Sequence, residues 1–192
     1  MNTYSSADLL GYEIFWNSNK KKKVTDYISA FISSLNKTVD LHIEIPTSIF
    51  LRTKQICKYI EENICVRFDI VSFIMILYIE FIENAVTERS TLDICKLIND
   101  FSPDDKIIIS NGHEVCECSL KENSKTKIII SMDKKLVIRG ELLLAELYEL
   151  YGYKMTFEKT LEAIWTSFIY NYLKGDSKKA LTAIINTVKS SI

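Results

Sequence analysis

The stretch "TKIIISMDKKLVIRGELLLAELYELYG", Thr126–Gly152, decides the fold, because somewhere inside it an extended chain must become a helix. Its first part is β-branched. Three isoleucines in a row, Ile128–Ile130, suit a strand covered on both faces or lying against helices. "MDKK" (Met132–Lys135) reads as a turn. "KLVIR" (Lys135–Arg139) alternates Lys135, Val137 and Arg139 with Leu136 and Ile138, the period of a short strand. "GELLLAELYELYG" (Gly140–Gly152) then reads as a helix that Gly152 stops in the C-cap role.

A second "KIIIS" stands at Lys106–Ser110. Between the copies lie Asn111–Gly112, a strong hairpin signal, the alternating run "HEVCECSL", and the polar break Lys121–Lys125. The spacing predicts an antiparallel meander over 106–139, with the two KIIIS copies as its first and third strands.

Outward from this meander the chain is helical, so the expected class is α+β, predominantly helical, with helical halves flanking the sheet. Residues 1–39 read as a helical N-terminal segment interrupted by the polar run "NSNKKKK", with Tyr27, Ile28, Phe31, Ile32 and Leu35 on one helical face. Residues 40–105 open on "DLHIEIP", where Leu41, Ile43 and Ile45 alternate with His42 and Glu44 as a strand with one buried face requires. Pro46 ends that strand, and Thr47–Asn63 is helical. Asp69 caps a very apolar helix over Ile70–Val86. A further helix runs from Ser90 to about Phe101. Residues 140–192 read as C-terminal helices, one opening at Thr156 and the last capped by Asp176. The four segments are expected to form one compact domain.

Composition bounds the function. The 192 residues are 47% hydrophobic and 26% charged, with a net charge of −1, so the chain as a whole does not attract polyanions. Residues 40–105 carry 6 basic against 12 acidic side chains and residues 133–192 carry 9 against 7, which puts any polyanion contact on the C-terminal third or on Lys20–Lys23. The longest apolar run, Ile70–Ile79, falls well short of the about 20 residues needed to cross a bilayer, so no membrane partner is expected. The five cysteines, an odd number without a signal-peptide pattern, imply reduced thiols and a cytoplasmic, intracellular setting.

Two longer segments share an order of elements. One is the strand Leu41–Pro46, the helix Thr47–Asn63, a short link and the helix capped by Asp69. The other is the strand Lys135–Arg139, the helix Glu141–Tyr151, the link "GYKM" and the helix from Thr156. Both resemble the ribbon-helix-helix family of DNA-binding proteins, and the second is the closer match. The resemblance implies that two strands pair antiparallel and enter the major groove of double-stranded DNA, and that helix N-termini hold phosphates. A single such unit dimerises, and two copies in one chain imply an internal pseudodimer. Carried over by position, Lys135, Val137 and Arg139 are the outward strand residues, Thr156 marks the phosphate-gripping helix start, and His42 is the outward residue of the first copy. Glu44 and Asp69 depart from this pattern, because each brings negative charge to the polyanion. Two pairings remain open. If Lys135–Arg139 pairs with Thr126–Met132, it is ordinary sheet; if it pairs with Leu41–Ile45, the pseudodimer stands.

Catalytic chemistry finds little support. His42 and His113 are the only histidines, and no Gly-rich phosphate loop or H-E-x-x-H occurs. His113, Cys116 and Cys118 are metal-ligand types, but the second ligand pair that zinc requires is missing. No metal or other cofactor is expected. The sequence reading is therefore a non-catalytic regulatory protein that binds DNA. Its alternative is a protein–protein interaction module, an inhibitor or adaptor, that associates with a partner or with itself through apolar helices.

Overall fold

The computed structural model describes residues 3–11, 37–87, 107–110, 115–118, 124–173 and 177–190. In chain order these hold β1 (Thr38–Pro46), α1 (Thr47–Ile64), α2 (Ile70–Thr87), β2 (Ile107–Ser110), β3 (Val115–Cys118), β4 (Lys125–Asp133), α3 (Lys134–Tyr151), α4 (Phe157–Asn171) and α5 (Ser177–Ser190). The protein is α+β and mostly helical. Among the described residues no helix is long and apolar enough to cross a membrane. The helices expected near residues 24–35 and 90–101, the Asn-Gly turn and Asp176 lie outside the described residues.

The sheet differs from the expected meander in two ways. β2 and β3 do form an antiparallel hairpin, with Ile107 opposite Cys118 and Ser110 opposite Val115. The second KIIIS copy does not join them. It lies in β4, which pairs with β1 in a separate two-stranded ribbon. Secondly, "KLVIR" is no strand: Lys135–Arg139 forms the opening turns of α3. The reason is Asp133, whose carboxylate Oδ1 accepts from Lys135 N at 2.7 Å and caps α3. Val137, Gly140, Glu141, Leu144 and Leu147 are the buried side of that helix. Their spacing is helical, and it overrides the local β preference of Val137 and Ile138.

The ribbon follows from alternation. Leu41, Ile43 and Ile45 on β1 and Ile130 and Met132 on β4 are fully buried, while their neighbours in the chain are exposed or half-buried. Backbone bonds from Thr47 N to Ser124 O and from Lys134 N to Lys37 O, both 3.0 Å, close its two ends. They fix an antiparallel register that sets Asp40 opposite Ser131, His42 opposite Ile129 and Glu44 opposite Lys127. Each ribbon strand runs straight into a helix with no loop between.

Contacts divide the chain into two compact units, Met1–Ile43 with Ile128–Thr160, and Glu44–Lys127 with Leu161–Ile192. The first has its core at Leu10, Leu41, Ile43, Ile130, Met132, Val137, Leu144, Leu147 and Phe157. Gly152 takes a left-handed φ of 67° and ends α3, its N–H reaching Tyr148 O at 2.8 Å. The second unit centres on Trp165, which is wholly buried. Its indole N–H donates to Thr53 Oγ1 at 2.7 Å, and the Thr53 hydroxyl donates on to Ile49 O at 2.8 Å. Phe73 meets Phe168 edge-on at 5.2 Å. Phe73, wholly buried, contributes about 1.5–3 kcal/mol by leaving water.

Candidate nucleic-acid interface

The alternation that buries one face of the ribbon turns the other outward. In the first unit that outward face carries Thr38, Asp40 and His42 from β1 and Ile129 and Ser131 from β4, all exposed, with Asp133 half-buried. Ser131 Oγ donates to the Asp40 carboxylate. Ile129 is an outlier: 60% of it is exposed in the middle of a polar face. In the second unit the outward face carries Glu44, Lys125 and Lys127. Lys127 Nζ lies 3.2 Å from Glu44 Oε1, an exposed pair that costs little to separate. The Thr47 and Thr126 hydroxyls share a hydrogen bond at 2.9 Å. Glu44's backbone N–H donates to the Glu162 carboxylate of α4 at 3.1 Å, which covers part of the β1 edge.

β1 and β4 themselves hold two lysines against three acids, and the basic excess comes from the residues that flank them. Residues 37–46 and 125–135 hold five lysines, Lys37, Lys125, Lys127, Lys134 and Lys135, against Asp40, Glu44 and Asp133. Arg139 adds a sixth positive charge one helical turn after Lys135.

The residues expected to touch DNA are placed as follows. Lys135 and Arg139 are exposed, but on α3, where a four-residue spacing sets them on one side of a helix. Val137 is wholly buried and faces no ligand; the outward position expected for it belonged to a strand that does not form. His42 is exposed on β1. Thr156 is exposed at the start of α4, where its hydroxyl accepts from Lys159 N at 3.4 Å. The equivalent start of α2 is held by Asp69, whose Oδ1 accepts from Ser72 N at 2.9 Å and Ser72 Oγ at 2.8 Å. The Ser72 amide bond holds the Asp69 carboxyl below its ordinary 3.8, so a fixed negative charge stands where a phosphate would approach.

Sequence reasoning missed Lys125 and Lys127. The signal was there: K-T-K at period two puts both on one face once β4 is known to be half-buried. It also missed Glu141, read as one more polar residue of a helix. Glu141 is wholly buried. Its carboxylate accepts from Ser5 Oγ, from Leu9 N at 3.2 Å and from Leu10 N at 2.5 Å. Glu158 accepts from Ser6 N at 2.7 Å.

For metal binding, no cluster of three or more ligating side chains occurs among the described residues. His113 lies outside them, and Cys116 and Cys118 are placed on β3 by their backbone. Cys57 is buried in α1, and burial, aided by the Asp69 charge, pushes its thiol up to about 12. It is a packed thiol and not a nucleophile.

No family model matches the chain, and no curated protein or solved structure matches it either.

Proposed function

We propose that this is a non-catalytic intracellular regulatory protein that binds double-stranded DNA through the β1–β4 ribbon, in the manner of a ribbon-helix-helix pseudodimer. One observation carries the reading. The order strand, helix, helix occurs twice, the second time as β4–α3–α4 in place of the Lys135–Arg139 strand first expected, and β1 pairs antiparallel with β4, which is neither of the two pairings left open for Lys135–Arg139. A two-stranded ribbon with a polar outer face is a shape that the major groove admits. The positive charge this reading draws on is Lys125 and Lys127 on β4, with Lys37, Lys134 and Lys135 beside the strands. Taken unit by unit, the donors assigned to DNA are Lys135 and Arg139 on α3 and Thr156 at the start of α4 in the first, and Lys125 and Lys127 on β4 in the second.

A second reading, a protein-binding module, is favoured by Ile129. An isoleucine 60% exposed opposite His42 gives DNA little to recognise beyond a thymine methyl, whereas a protein partner buries it.

Titration against random duplex DNA at two salt concentrations separates the two. DNA binding by the ribbon predicts affinity that falls steeply with salt, and a Lys127→Ala, Lys135→Ala double variant whose salt slope is smaller by about 2. No measurable binding near physiological salt defeats the DNA reading and leaves the protein partner.

A further inference from the structure

Helix α3 buries Val137, Gly140, Glu141, Leu144 and Leu147. Opposite them on the helix runs a stripe of Lys135, Arg139, Leu142, Glu146 and Leu150, spaced three or four residues apart, with Glu149 beside it. All six are exposed, and Leu142 and Leu150 keep 50% and 60% of their surface in water. Charge on this face is segregated: both cations stand in the first two turns of α3 and both anions in the last two. No residue three or four positions from any of these charges carries the opposite sign, so the pairs that stabilise an exposed helix face do not form within α3. Among the described residues none of the four is in an ion pair. Their order also opposes the helix dipole. Lys135 stands at its positive end and Glu149 at its negative end.

We infer that this face of α3 is a contact between two copies of the chain, in which α3 pairs antiparallel with α3. A charge pattern that runs from positive to negative along a helix is complementary to itself when the second helix is reversed. With a twofold axis beside Leu142, Arg139 of each copy faces Glu146 of the other, and Lys135 of each reaches Glu149 of the other. The two Leu142 side chains meet at the axis, and Leu150 covers the methylene stem of the other copy's Lys135. Each end of α3 then receives the charge that its dipole favours. A parallel arrangement sets like charges together. The contact is one helix wide, below the about 1,200 Å² where standard interfaces begin, so the dimer is a weak one. The inference does not rest on the DNA reading. It meets that reading at Lys135 and Arg139, which serve either a second copy or phosphate.

Sedimentation equilibrium without DNA tests this, at low salt and over roughly 10–500 μM protein, where weak contacts populate. The samples are wild type, Arg139→Glu, Glu146→Arg, and an equimolar mixture of the two variants. Wild type should dimerise as its concentration rises. Each variant alone sets like charges across the axis at both pairs, and its dimer should be weaker by about tenfold or more. The mixture should recover about the wild-type affinity. There the acid introduced in one copy meets the base introduced in the other, while the untouched Glu146 and Arg139 meet as before. A variant that failed to fold could not give that recovery. Wild type that stays monomeric throughout overturns the inference. Unchanged association in either variant alone places the contact on another surface and overturns it too. Variants that are weak alone and stay weak when mixed defeat the antiparallel pairing. Binding to DNA is read separately, by the titration above.

Discussion

The two strand–helix–helix arms, β1–α1–α2 and β4–α3–α4, run in the same order and differ at each junction. After β1 the chain enters α1 at Pro46, with no side-chain cap. After β4 it enters α3 at Asp133, which caps the helix with its carboxylate. The first helix of each arm also buries a different polar group near its second turn. In α1 it is Thr53, a neutral hydroxyl between the Trp165 indole and the Ile49 carbonyl. In α3 it is Glu141, a carboxylate that accepts from Ser5 Oγ and from the Leu9 and Leu10 amides. The second helices diverge likewise, since Asp69 opens α2 and Thr156 opens α4. The difference teaches that the order of elements is set by hydrophobic pattern, while each arm's working role is set by a few polar residues.

That contrast predicts unequal responses. Glu141→Ala should cost the most, about 3 kcal/mol or more, because it strands three donors at once in a buried site. Chemical denaturation measures it, and a cost below about 1 kcal/mol would show the two interior polar groups to be equivalent. Thr53→Val conserves shape and strands only the Trp165 N–H, for about 1–3 kcal/mol. The Trp165 fluorescence should report the same transition. At the smallest end stands the pair of helix caps. Asp69→Ala should cost about 1 kcal/mol and Thr156→Ala no more. Only the Asp69 contribution depends on pH. Its carboxyl is held below 3.8 in the folded protein, so its stabilisation is present above that value and is lost as pH falls through the lower folded value. Equal acid sensitivity in wild type and Asp69→Ala would remove Asp69 from the account.

Much of this fold could be read from the sequence, and the unreadable part has physical causes. Helices α1, α2, α4 and α5 declare themselves through apolar spacing; Pro46, Asp69 and Thr156 mark the starts of α1, α2 and α4 by local chemistry, as Gly152 marks the end of α3. Leu41, Ile43 and Ile45 likewise announce a half-buried strand. Two things were hidden. Leu136–Ile138 is locally β-prone, and the Asp133 cap together with the packing of Val137, Leu144 and Leu147 makes it helical. The partner of β4 was also invisible, because register in a hairpin comes from its turn, whereas β1 and β4 share no turn. The candidate site inherits that second gap. Lys135 and Arg139 are exposed as expected, but on a helix and not as alternate residues of a strand. Lys125 and Lys127 gained significance only once β4 was seen to pair with β1.

The closure of that ribbon bears on how the chain tolerates change. Thr47 and Ser124 meet across everything between them, including the β2–β3 hairpin. Closing so long a loop has a large fixed entropy cost, but a small marginal one: each doubling of length adds only about 0.6 kcal/mol. Residues inserted or removed within that span therefore change stability little, provided α1 and α2 are spared. The order of assembly is constrained more strongly. The helices of each arm are built from local contacts, whereas the ribbon must wait until chain ends far apart in sequence find each other. Until then both strands have open edges, so contact order predicts that the ribbon forms late and that refolding at high protein concentration loses yield there first.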